Sequence, residues 1–255
     1  MLPGSPQITK PALQKLFAED SNEWPDQEIE LCGNISLPDY ECVLTDSILN
    51  ERWALKWKEV KPGQRSTCFD CSLITPAGAK IVSKMGNLAF YNLQELSESV
   101  ATILAKSKGG LTIGIEKIGV EIARCLACRK EDNSANFGLA LRLNTLDKEV
   151  AAELAKSSGR LSLIVEGGLT DTNLEVISKR QGALDLSDWT ELSDKVAEIL
   201  SKHQGELNLS GLTKLSDAAA ESLSRHRGVV LLFGLEDLGD VTRKILSKNK
   251  DVVFE

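Results

Sequence analysis

The sequence predicts an α/β solenoid of stacked strand, turn and helix units, with a parallel sheet on one side and the helices outside it. Three observations carry this expectation. The glycines Gly159, Gly182, Gly205 and Gly228 recur at a constant step of 23 along the chain. The segments ALDLSDWTELSDKVAEILSKHQG, Ala183 to Gly205, and ELNLSGLTKLSDAAAESLSRHRG, Glu206 to Gly228, place like residues at like positions. Each segment also joins a period-two apolar run to an apolar spacing of helical type. A fixed period of this size marks supersecondary units that stack on one another.

The units align on the apolar residue preceding each helix: Ile74, Leu96, Ile118, Leu146, Leu169, Leu192, Leu215 and Leu238. The steps between these anchors are 22, 22, 28, 23, 23, 23 and 23. About eight leucine-rich units of nearly constant length therefore run over 68–255, with one insertion around KEDNSAN, Lys130 to Asn136. After each anchor stands Thr75, Ser97, Gly119, Asp147, Thr170, Ser193, Ser216 or Gly239. All are residue types that suit a helix N-cap and its unpaired amides. In the first unit Pro76 occupies the first helical position, where its missing N–H costs nothing.

Three, four and seven residues past the cap the chain is mostly apolar, as at Val100, Ala101 and Leu104 or Ala219, Ala220 and Leu223. That spacing forms one helical face. Nine residues past the cap stand Lys84, Lys106, Cys128, Lys156, Lys179, Lys202, Arg225 and Lys248. A cation there complements the negative helix terminus. Gly86, Gly109, Gly159, Gly182, Gly205 and Gly228 are expected to supply a left-handed stop. The strands come next, with inward pairs at Leu88 and Phe90, Leu111 and Ile113, Leu139 and Leu141, Leu161 and Leu163, Leu184 and Leu186, and Leu207 and Leu209.

One unit cannot stand alone. A few side chains at roughly 1.5–3 kcal/mol each do not offset about 1–2 kcal/mol of backbone ordering per residue. Stacking solves this, because every unit offers the next the same buried layer.

Leu207 to Gly228 matches the pattern LxLxGLTxLSxxAAxxLxxHxG almost letter for letter. On this pattern the chain resembles a leucine-rich repeat protein of the bacterial variety, from about residue 68 onward and most closely in the last four units. The resemblance implies a curved parallel sheet, outer helices and a role in binding other proteins. There is one departure. The family's asparagine or cysteine past the second strand leucine is replaced by Leu93, Glu116, Asn144, Glu166, Trp189, Leu212 and Leu235, of which only Asn144 keeps the type. The apolar substitutes suggest a buried turn.

Residues 1–67 fall outside the period and hold Trp24, Trp53 and Trp57. They are read as an N-terminal cap covering the first unit's apolar flank, or a small α+β domain. ITKPALQKLF suggests a short helix, and RWALKWKEV followed by KPGQ suggests a hairpin into STCFDCSLI, with a helix on the spacing of Trp53 and Trp57 as the alternative.

The chain has 255 residues, 42% hydrophobic and 26% charged, with a net charge of −7. That balance suits a folded domain and disfavours nucleic acid, which asks for a concentrated basic face. No apolar run is long enough for a membrane span and no basic leader precedes one, so a cytoplasmic protein is expected. Six cysteines are too few for a disulfide scaffold.

Candidate chemistry is sparse. Cys68 with Cys71 and Cys125 with Cys128 have metal-ligand spacing, but Cys125 stands in an aliphatic core slot and Cys128 in the cation position. An alternative zinc site is Cys32, Cys42, Cys68 and Cys71, all in or beside the N-terminal segment. His203 and His226, ten residues past their caps, read as stacked surface residues. No triad or phosphate-binding turn is evident, so no enzyme activity and no cofactor are expected.

The outward strand positions are left. They are polar or small in mid-array, then apolar at Val229, Leu231, Phe233, Val252 and Phe254. Apolar residues on both faces imply a cover. The expectation is a non-enzymatic scaffold that binds a protein partner, or a second copy through its C-terminal apolar strands. The candidate contacts are Arg142, Ile164, Asp185, Asn208, Leu231 and Phe233.

Overall fold

A computed structural model describes residues 43–44, 66–69, 71–84, 86–129, 138–236 and 238–254. The expected short helix, the first arm of the expected hairpin, the three tryptophans, Cys32 and Cys42 lie outside the described residues, as does the KEDNSAN insertion; of the second arm, STCFDCSLI, the described strands form parallel pairs. By internal packing the chain forms two compact units, one ending at Ile115 and the other holding Glu116–Lys130 and Gly138–Glu255.

In the first unit, strand β1 (Val43–Leu44) pairs in parallel with β3 (Leu73–Ile74). Strand β2 (Ser66–Phe69) pairs in parallel with β4 (Asn87–Leu93), and β4 with β5 (Leu111–Ile115). Two helices alternate with these strands, α1 (Pro76–Val82) and α2 (Glu98–Leu104). The inward Leu88, Phe90, Leu111 and Ile113 are buried, and Phe90 stacks on Phe69 with ring centroids 5.1 Å apart. Asn87 is also buried, its Oδ1 accepting the Gly110 N–H at 2.6 Å.

The second unit opens with α3 (Val120–Ala127) and then repeats strand and helix. Its strands are β6 (Leu139–Leu143), β7 (Leu161–Val165), β8 (Leu184–Asp185), β9 (Leu207–Asn208), β10 (Val230–Leu231) and β11 (Val252–Val253). Between them lie α4 (Lys148–Leu154), α5 (Asp171–Ile177), α6 (Asp194–Leu200), α7 (Asp217–Leu223) and α8 (Asp240–Leu246). The strands are parallel and neighbour one another in sequence order, with Leu161, Leu184, Leu207, Val230 and Val252 forming one inward row. Strand and helix alternate with a parallel sheet, an arrangement compatible with a repeat solenoid.

The caps explain the helix starts. Ser97, Thr170, Ser193 and Ser216 each accept the amide three residues on, and Thr75 does the same for Gly78. Gly119, Asp147 and Gly239 stand at the cap without a side-chain bond. Most helices run seven residues, two turns, which is too short to persist without packing. The last four end on a serine, Ser178, Ser201, Ser224 or Ser247, whose hydroxyl donates to a carbonyl of the final turn.

The periodic glycines are present for a different reason than the expected left-handed stop. Gly86, Gly109 and Gly228 do have positive φ, but Gly159, Gly182 and Gly205 do not. A Cβ on Gly182 would lie 2.2 Å from the Ser158 carbonyl oxygen, and one on Gly205 2.5 Å from that of Gly182. Glycine therefore lets one unit's turn close onto the previous backbone. A second column does the same past the strands, where Gly211 and Gly234 face the carbonyls of Ser187 and Ser210.

Candidate partner-binding face

Register places the candidate residues in two outward rows. Asp185, Asn208, Leu231 and Val253 are successive partners across β8 to β11. Arg142 and Ile164 are partners on β6 and β7, one pleat further along. Phe233 lies in the turn that follows β10, two residues after Leu231, and is exposed. Five of the six candidates thus stand on one face of the second unit's sheet, and Phe233 follows it in the turn past β10.

Their environments differ. Asp185 Oδ1 accepts the Ser187 N–H at 3.0 Å, and Asn208 Oδ1 accepts from the Ser210 N–H at 3.1 Å and hydroxyl at 2.6 Å. These equivalent turns hold the chain where it leaves the strand. Arg160 lies 3.6 Å from the Asp185 carboxylate and 2.5 Å from that of Glu206, all three being partly shielded. Arg142 is exposed and Ile164 half-buried.

The last two strands turn apolar. Phe233 is 55% exposed, Val229 40% and Val253 38%, with Leu231 half-buried among them. The expected register of β11 is corrected by one residue. Val252 is buried and pairs with Val230, so Val253 points outward, and Phe254 is half-buried. The sequence VVF is apolar on both parities, so alternation alone could not choose.

Of the alternative zinc ligands, Cys68 lies on β2 and Cys71 is buried just past it. Cys125 is half-buried rather than enclosed in the core, and Cys128 is exposed. No cluster of three or more metal-ligating side chains occurs among the described residues.

The histidines overturn their surface reading. His203 is 0% and His226 3% exposed, with ring centroids 5.8 Å apart. They occupy a register position ten residues past each cap, filled in turn by Ser107, Arg129, Ser157, Arg180, His203, His226 and Asn249. From Arg180 onward this position forms a ladder. Arg180, 1% exposed, donates to the carbonyls of Ala183 and Gly159 and, at 3.4 Å, to that of Ser157. His203 Nδ1 meets the Ser178 carbonyl at 3.3 Å, His226 Nε2 the Gly205 carbonyl at 2.9 Å, and Asn249 Nδ2 donates to the His226 carbonyl at 3.0 Å. Apart from the Ala183 carbonyl, which also accepts the Leu161 N–H, the side chains here supply donors to turn carbonyls of the neighbouring unit.

A ladder of this kind, a face of small and polar outward residues and an apolar end define a stacked strand–helix repeat with one presentable sheet surface. Comparison with profiles of known protein families, with curated proteins and with solved structures gave no match. Among the described residues no helix is long and apolar enough to cross a membrane.

Proposed function

We propose that the chain is a non-enzymatic scaffold of the leucine-rich-repeat kind, holding a protein partner against the outward face of β8 to β11. The observation behind this is the apolar group at β10 and β11, in which Val229, Phe233 and Val253 are exposed and Leu231 is half-buried. Isolated exposed apolar residues are ordinary, but a contiguous set beside a polar margin is the usual composition of a docking surface. Phe233 is the anchor, Leu231 and its register partner Val253 add apolar surface, and Asp185 and Asn208 form the polar margin. Arg142 and Ile164 extend the face toward β6 and β7.

The test is capture from the native source by the full chain and by a Leu231→Asp, Phe233→Asp variant, with light scattering of both. Loss of one specific protein from the variant, at unchanged circular dichroism, is the expected outcome. Equal capture by both chains would remove the reading. A mass that falls to the monomer in the variant alone would instead assign the face to a second copy.

A further inference from the structure

The two histidines are titratable groups inside a ladder built for neutral rings. A carbonyl oxygen only accepts, so His203 donates from Nδ1 to Ser178 and His226 from Nε2 to Gly205, which fixes opposite tautomers. The remaining nitrogens, His203 Nε2 and His226 Nδ1, are buried and have no well-formed hydrogen bond among the described residues. A proton added at His203 Nε2 meets no well-formed hydrogen bond among the described residues.

The charged neighbours add to the cost of a cation. His203 comes just after α6 and is met by Arg180 from the turn after α5 and by His226 from the turn after α7. Arg180 is a permanent buried cation that donates to carbonyls. From the start of β9, Glu206 turns its carboxylate to Arg160 at 2.5 Å, and its carbonyl already accepts the Leu184 N–H at 2.8 Å. From the turn after α8, Asn249 brings a neutral amide. Burial above all, with His226 and Arg180, holds the His203 imidazole below its ordinary range, against the carbonyls of Ser178 and Glu206.

We propose that the buried pair His203 and His226 forms an acid-sensitive latch in which protonation of His203 opens the stack from His203 onward, releasing β9 to β11. The link to partner release through Leu231 and Phe233 rests on the function proposed above; the opening itself does not. Above about pH 6.5 the His203 imidazole is neutral in folded and unfolded chains alike, and the latch is closed. Below it the unfolded segment takes up the proton first, so stability falls as pH falls. In a stack, each unit meets only its neighbours, so a broken interface frees the units beyond it.

Hydrogen exchange of the full chain at pH about 7.5 and about 5, corrected for intrinsic rates, tests this. Peptides from 203–254 are expected to lose protection about tenfold per pH unit for each proton linked to opening, while those from 139–165 hold theirs. In a His203→Gln, His226→Gln variant, which keeps an N–H for each carbonyl, that difference should vanish. Unchanged protection in the parent chain, or an equal loss in the variant, overturns the latch. Should the variant not fold, imidazole titration by NMR in the parent chain decides, with a His203 midpoint below about 6.5 expected and one at or above it fatal. No partner enters either readout, so failed capture at Leu231 and Phe233 leaves the latch standing.

Discussion

Within the second unit, β6 and β7 are joined differently from β8 to β11. The first pair share five register positions, from Leu139 with Leu161 to Leu143 with Val165. Each later pair shares two. Where the backbone ladder shortens, side chains take over: Arg180, His203, His226 and Asn249 reach turn carbonyls, Asp185 and Asn208 brace the strand exits, and two glycine columns let the backbones close. The two regions show that a stack can be fastened by main-chain pairing or by one buried polar side chain per unit. Only the second fastening loses its hydrogen bonds when a single side chain is replaced.

Core truncation is the most severe way to sharpen this contrast. Leu163 on β7 and Leu209 past β9 are both fully buried. Each change to alanine is expected to cost about 2–5 kcal/mol in urea unfolding. The contrast lies in the pattern: Leu209→Ala should leave 139–165 protected in hydrogen exchange while the later units open, and Leu163→Ala should loosen both. Identical patterns would erase the distinction between the regions.

Arg180→Ala comes next, at about 2–4 kcal/mol, because it removes the buried donor to the Gly159 carbonyl, whereas the Ala183 carbonyl keeps the Leu161 N–H. Gly205→Ala should cost about 1–3 kcal/mol, since its Cβ meets the Gly182 carbonyl and the units must part. Gly168→Ala is its control: φ is 75° there with nothing within 4 Å, so only backbone strain of about 1 kcal/mol remains. Smallest is Lys202→Ala, within about 0.5 kcal/mol, because its 3.3 Å pair with Glu198 is exposed on both sides. Denaturant midpoints rank all four.

Much of this layout was legible in the residues. The caps Ser97, Thr170, Ser193 and Ser216, the inward leucines and the sequence-order pairing all stem from local spacing, which each unit repeats. What escaped depends on the neighbouring unit. A histidine after a helix is a surface residue until the next turn covers it, and only then does its ring meet Ser178 or Gly205. A periodic glycine serves a left-handed turn or a close approach, and the distance to another backbone decides which. The ladder did leave a signal: one register position filled in succession by Ser157, Arg180, His203, His226 and Asn249, all able to hydrogen-bond. Of the candidate face, the rows were readable from parity, whereas the pairing of Arg160 with Asp185 and Glu206 spans three strands and was not.

The glycine columns also bear on how such a chain can grow. Gly182 rests on the turn at Ser158 and Gly159, Gly205 on that at Gly182, and Gly228 on that at Gly205, so each junction presents nearly the same mould to the next. A duplicated copy of 183–205 spliced in after Gly205 would find familiar surfaces on both flanks, lengthening the array by one tooth without recutting its neighbours.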